Sequence, residues 1–266
     1  MLQRLISRIK KFISFPPSTR HYCSSKQLAI IFAGYFFISF FLSPLLLVAT
    51  WPLIYKLFAN YNNPLLLKLS YFQVLHTLCL LLFISFLFAS PLKTKIKSIF
   101  NSSSHSPLYS LLLGVGNWFI AFPCVWILYQ ILNAIHIGIF GATKSEQSAI
   151  RIVKMMSDHP ISFFFGIINV IFIAPYIEEV FFRGFMHDFF RPKLGIPSTI
   201  FVSSLIFSLM HFSREQGSSN LVLLPCLFFF SLFLGRIYEK ERSIWSSIGL
   251  HAAFNSFSAI GIFLLD

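Results

Sequence analysis

From Phe163 to Met186 the chain reads as sequence fit for lipid, with one interruption: Glu178 and Glu179, followed four residues after Glu179 by Arg183. Phe163, Phe164, Phe165, Ile167 and Ile168 lead into Val170, Ile171, Phe172, Ile173 and Ala174, and Val180, Phe181, Phe182, Phe185 and Met186 surround the arginine. On insertion scales a charged side chain near mid-bilayer costs roughly 2.5–3.5 kcal/mol. Three of them together need a partner, a wet cavity or a job. A chain carrying this stretch is therefore expected to fold around a buried polar site.

The rest of the sequence supplies the surroundings such a site requires. Of the 266 residues, 56% are hydrophobic, only 11% are charged and 35 are phenylalanine, and the mean hydropathy is +0.75, beyond the composition of a soluble globular domain. The fold class this implies is all-α, a polytopic helical membrane protein. Apolar segments at 28–50, 71–89, 108–135, 161–190, 196–212, 220–238 and 244–265 give seven transmembrane helices, the typical one near the ~20 residues that cross a ~30 Å hydrocarbon core. Residues 136–160 could add an eighth. The 161–190 helix would run ~45 Å at 1.5 Å per residue, so part of it must tilt or emerge. Gly114, Gly116 and Pro123 mark the third span for close packing or a kink. The expected organisation is a basic segment at 1–27, two N-terminal spans within 28–107, and a core at 108–266 that holds the charged stretch.

A net charge of +12 raises the question of nucleic acid, which would require Lys and Arg clustered on a solvated face between aromatic platforms. Here the basic residues lie between apolar runs, so the expected partners are membrane lipids and no nucleic acid. Residues 1–27 carry Arg4, Arg8, Lys10, Lys11, Arg20 and Lys26, with Leu2, Leu5, Ile6, Ile9, Phe12 and Ile13 near helical spacing. That pattern predicts an amphipathic helix on an anionic surface, ended by Pro16 and Pro17, and Thr143 to Pro160 reads as a second interfacial helix. With the N-terminus cytoplasmic, 14 of the 21 Lys and Arg fall in inner segments and 6 in outer ones, as the positive-inside rule requires. The expected location is a multi-pass integral membrane protein, in the cell (inner) membrane if the cell is bacterial. Cys23, Cys79, Cys124 and Cys226 form no Cys-x-x-Cys pair and indicate no redox compartment.

Chemistry enters through the other polar residues of the spans: His211, His251, Asn255, His187, Asp188 and His76. Glu179 and Arg183, Phe207 and His211, and His251 and Asn255 are each four apart and share a helix face. Counted from the inner helix ends, Glu178 lies ~20 Å deep, His211 ~21 Å, Asn255 ~18 Å and His251 ~12 Å. Three helices thus deliver two carboxylates, two imidazoles and an amide to one stratum. Such a set can hydrolyse a bond in two ways. A Glu can take a proton from water that a His orients, with the other His and the Asn donating to the developing oxyanion. Alternatively Glu178, His211 and His251 can bind zinc, leaving a position for water and the other Glu as base. Arg183 would neutralise Glu179 in both cases and free Glu178 to act. His187 and Asp188 read as interfacial residues and His76 as structural.

The motifs Glu178-Glu179-x-x-x-Arg183, Phe207-x-x-x-His211 and His251-x-x-x-Asn255, in that order on three hydrophobic helices, resemble the CPBP family of intramembrane proteases. That family comprises type II CAAX-processing endopeptidases and bacteriocin-processing or immunity (Abi-like) relatives. The resemblance covers roughly residues 110–265. It implies a membrane-embedded hydrolase acting near the cytoplasmic face on a peptide or a lipid-anchored protein. It further implies Glu178 as principal base, His211 as its water-orienting partner, and His251 with Asn255 as the oxyanion site, with Glu179 and Arg183 completing the catalytic set. The cofactor is either none or zinc, and the His-Glu-x-x-His spacing of common zinc proteases is absent. The competing readings are an ion-coupled transporter, which would advertise repeated halves, and a non-catalytic immunity or partner protein on the same fold. Taken singly, the Glu179/Arg183 pair could be a structural ion pair, either His a satisfied core residue, and Asn255 a helix-to-helix bridge.

Overall fold

The computed structural model describes residues 24–58, 63–89, 93–100, 105–141 and 160–265. Every regular element among the described residues is helical. The expected amphipathic segment falls almost entirely at 1–23 and the expected interfacial helix almost entirely at 142–159, outside the described residues. Among the described residues, five helices are long and apolar enough to cross a membrane: Ser25–Leu57, Pro64–Leu87, Pro107–Phe140, Phe163–Leu209 and Arg214–Glu241.

Helix α1 (Ser25–Leu57) starts at a capping box. Ser24 Oγ accepts from the Gln27 N–H at 3.2 Å while Gln27 Oε1 accepts from the Ser24 N–H at 2.9 Å, so two otherwise orphaned donors are satisfied reciprocally. It widens into a π turn at Ile38–Leu42, just ahead of Pro44, and continues through Pro52. Helix α2 follows at Pro64–Ala89. The loop expected at 51–70 is thus largely helical, because the two helices extend past their apolar stretches, with Lys68 Nζ 5.8 Å from the centre of the Trp51 ring. The basic connection after α2 is likewise a short helix, α3 (Lys93–Phe100). Its Ile99 is fully buried in the space left by Gly184.

Helix α4 (Pro107–Phe140) is capped by Ser106, whose Oγ accepts from the Tyr109 N–H at 3.3 Å. It ends at Gly141, whose φ of 80° suits the residue without a Cβ. Residues 160–187 form α5, in which α-helical turns alternate with π segments at Asn169–Ile173 and Val180–His187. Helix α6 is Asp188–Leu209. Drawn straight, the 47 residues of Phe163–Leu209 would extend ~70 Å, over twice the hydrocarbon thickness. The path breaks instead at Gly195 (φ 71°, ψ 175°), a conformation essentially confined to glycine, with Pro192 and Pro197 on either side. Beyond a short 3₁₀ segment at Arg214–Ser219 come α7 (Asn220–Glu241) and α8 (Ile244–Leu265).

Of the five candidate spans the one that contains α7 is the most enclosed, and α7 lies against α4, α6 and α8. One apolar cluster joins α1, α2, α5 and α6 through Phe181, Phe182, Phe185 and Phe207, and a second joins α4, α7 and α8 through Val125, Phe230, Leu234 and Leu250. The outer faces of α1, α2 and α4 expose Phe40, Phe41, Val48, Leu82, Phe86, Phe119 and Ile120, the apolar surface of helices that contact lipid.

The backbones of α4 and α8 come into close contact. A Cβ on Gly114 would run into the Ser246 carbonyl oxygen, and one on Gly249 would run into that of Leu111. Small residues let α4 and α8 approach backbone to backbone; Gly116, by contrast, has nothing near it. Overpacking of this kind typically costs about 1–3 kcal/mol. Gly249→Ala is therefore expected to lower the unfolding midpoint in detergent and to displace His251, two residues on. Thermal unfolding of the purified variant checks it, and an unchanged midpoint would contradict the contact.

Candidate active site

The site is built around Glu179, which is fully buried. Its Oε1 accepts from Arg183 Nη1 and from His251 Nδ1, each at 2.9 Å. Arg183 is one turn along α5, also fully buried, and its Nη2 donates to both the hydroxyl and the carbonyl oxygen of Ser231 on α7. Its guanidinium lies 4.9 Å from the centre of the Phe207 ring. A chain of contacts therefore runs from Ser231 through Arg183 and Glu179 to His251, joining α7, α5 and α8. Ser231 is absent from every motif in the sequence, because nothing local distinguishes it from other serines in apolar helices.

Glu178 points the other way, into a cavity of about 140 Å³ lined by Val170, Ala174, Phe207, His211, Leu227, Phe230, His251, Phe254, Asn255 and Ser258. Its Oε2 is 3.7 Å from His211 Nε2 and 3.8 Å from His251 Nε2, and that oxygen has no hydrogen-bond partner among the described residues. Both rings are oriented from behind. His211 lies just past the end of α6, where the last helical carbonyls lack partners, and its Nδ1–H donates to the Phe207 carbonyl at 2.7 Å. The backbone N–H of His211 turns instead to Ser208. His251 Nδ1–H donates to Glu179. In the neutral rings both Nε2 atoms consequently carry lone pairs toward Glu178, so His251 can donate into the cavity only as imidazolium.

Asn255 also lines the cavity, but its Nδ2 donates to the Val170 carbonyl at 2.8 Å, tying α8 to the first π segment of α5. Counting depth along straight helices sets Asn255 level with Glu178 and His251 a turn or more away. In the structure His251 contacts both glutamates while Asn255 reaches back to Val170, and the π segments change the rise of α5 between them.

His187 and Asp188, expected at the membrane interface, are both fully enclosed by protein. His187 Nε2 contacts Glu239 Oε1 at 2.9 Å, Arg191 Nε donates to the same oxygen at 2.7 Å, and Tyr238 Oη donates to Asp188 Oδ1 at 3.4 Å. This second polar cluster fastens the junction of α5 and α6 to the end of α7. Its key member, Glu239, sits in a charged run that reads from sequence as a loop end. His76 contacts Ser43 at 3.2 Å and stacks on Phe72, and it does not line the cavity.

Glu178, His211 and His251 offer the carboxylate and imidazole donors that zinc takes, while among the described residues no group of three His, Cys, Asp or Glu is gathered as a ready-made metal site. The gaps of 3.7 and 3.8 Å exceed direct hydrogen-bonding distance, and a water donating one hydrogen to Glu178 Oε2 and the other to His211 Nε2 would span the first.

The family description Type II CAAX prenyl endopeptidase Rce1-like matches residues 160–257. The matched segment spans α5, α6, α7 and most of α8, and contains Glu178, Glu179, Arg183, His211, His251 and Asn255. It does not reach α1, α2 or α4. No curated protein matches the chain, and no solved structure does.

Proposed function

We propose that this protein is a membrane-embedded peptidase similar to the type II CAAX prenyl endopeptidases, hydrolysing a peptide bond of a lipid-anchored or membrane-associated substrate. The observation that carries this reading is the approach of the carboxylate of one partly exposed side chain, Glu178, to the Nε2 atoms of two imidazoles, His211 and His251, at the wall of a largely apolar cavity. Glu178 takes a proton from a water that His211 Nε2 helps to orient, and the water attacks the substrate carbonyl. His251, protonated and held by Glu179, donates from Nε2 to the developing oxyanion. The proton on Glu178 then passes to the leaving nitrogen. Glu179, Arg183 and Ser231 touch no substrate and hold His251 in place.

In this reading the chain crosses the membrane seven times, along α1, α2, α4, α5 with the first turns of α6, the rest of α6, α7 and α8, with Gly195 turning it within α6 and the N-terminus cytoplasmic. The apolar part of the substrate meets the apolar lining, Val170, Ala174, Leu227, Phe230 and Phe254. The test is cleavage of a lipid-anchored peptide ending in a CAAX motif by the purified protein in vesicles. Cleavage is expected to persist at more than half its rate after exhaustive chelation. A chelator-induced loss reversed by added zinc would transfer Glu178, His211 and His251 from acid–base work to ligation.

A further inference from the structure

The hydrogen bond from Asn255 to Val170 has a specific cause in the sequence. In the π segment Asn169–Ile173 the backbone bonds run five residues apart, and the Ala174 N–H donates to the Asn169 carbonyl. The next bond in that register would come from residue 175 to the Val170 carbonyl. Residue 175 is proline, which has no N–H. The Val170 carbonyl thus lacks its backbone donor in the low-dielectric interior, where a polar group without a partner is costly, and Asn255 Nδ2 supplies the donor from α8 at 2.8 Å. On the other side of the same segment, Thr77 Oγ1 on α2 donates to Asn169 Oδ1 at 2.9 Å.

We infer that Asn255 is a positioning residue which replaces the missing Pro175 N–H, and that with the Thr77–Asn169 contact it clamps the π segment whose register sets the rotation of Glu178 toward the cavity. Val170, Ala174 and Glu178 all line the cavity, and the wider turn between the first two sets the rotation of the third. An α-helical register there would turn Glu178 by about a quarter of a turn relative to Val170, away from His211 and His251. The clamp reaches outside the family-matched segment: Thr77 belongs to α2, which that match does not include. This inference rests on the proposed peptidase reading for its catalytic consequence, but not for its geometry.

The test is a double-mutant cycle between residues 175 and 255. Asn255→Ala is expected to lower kcat at least ~10-fold with KM changed less than ~2-fold. In a Pro175→Ala background the restored N–H can serve Val170, so the same substitution is expected to lower kcat less than ~3-fold. An equal loss in both backgrounds overturns the inference and makes Asn255 a direct donor to the oxyanion. If Pro175→Ala does not fold, Thr77→Val decides: a lower kcat restored by Thr77→Ser supports the clamp, and an unaltered kcat overturns it. If the wild-type protein cleaves nothing, the peptidase reading fails separately and the cycle is read in unfolding midpoints. There Asn255→Ala is expected to destabilise the wild-type background more than the Pro175→Ala background, and equal shifts overturn the clamp.

Discussion

Glu178→Gln is expected to lower kcat for cleavage of a lipid-anchored peptide by about 10²–10⁴-fold, the usual worth of a positioned general base, without changing the unfolding midpoint. The substitution keeps the shape of the side chain and removes its capacity to take a proton. It should not disturb the fold, because the side chain is 23% exposed and makes no hydrogen bond to the described protein through Oε2. Initial rates and thermal unfolding measured on the same preparation check both halves. A fall in rate accompanied by an equal fall in stability would assign Glu178 to architecture.

The opposite pattern is expected at Arg183. Arg183→Met leaves the Glu179 carboxylate buried without its cation, and breaking one side of a buried pair typically costs about 3–5 kcal/mol. Set against a total stability of about 5–15 kcal/mol, that loss is expected to deplete folded protein in detergent. It also removes the two bonds to Ser231 that tie α5 to α7 and frees the Phe207 ring that the guanidinium covers. The double substitution Arg183→Met with Glu179→Gln removes both charges and is expected to regain much of the lost stability, since the two sites are directly coupled. Activity should not return with it, because a neutral amide at position 179 no longer pairs with the imidazolium of His251. Unfolding midpoints of the two single variants and the double variant measure the coupling, and additive effects would contradict the pair.

The two substitutions separate the adjacent glutamates into different kinds of residue, and that division is legible in part from spacing. Glu179 and Arg183 are four apart and so face each other, which leaves Glu178 on another face. Charges in an apolar run are conspicuous in a sequence, and so are histidines at matching intervals along later apolar runs. Residues that contact these groups from distant helices carry no such mark. Ser231 meets Arg183 across 48 positions, and Thr77 meets Asn169 across 92; either could be any serine or threonine packed inside a helix.

Differences of depth and exposure have equally concrete sources. Counting 1.5 Å per residue assumes unbroken α-helix, and α5 has two π segments, so His251 rather than Asn255 meets the glutamates. His187 and Asp188 read as interfacial because Arg191 and Lys193 follow closely. Their burial depends on Glu239, which arrives from the far end of α7 to accept from His187 and Arg191. Helices α1 and α2 run past their apolar stretches because polar residues such as Lys56 and Lys68, which read as loop, lie within helical segments. The break within α6 is the boundary most visible in sequence, since Pro192, Gly195 and Pro197 leave the chain few ways to continue straight.

The central claim is that Glu178 activates water for attack on a peptide bond at the membrane. Mass spectrometry of the products formed from a lipid-anchored CAAX peptide in ¹⁸O-labelled water tests it most directly, with the wild-type protein and Glu178→Gln reconstituted in the same vesicles. The account predicts a single new carboxyl terminus carrying one ¹⁸O atom from the wild-type protein and intact peptide from the variant. Intact peptide with folded wild-type protein, or labelled product formed equally well by the variant, would contradict it.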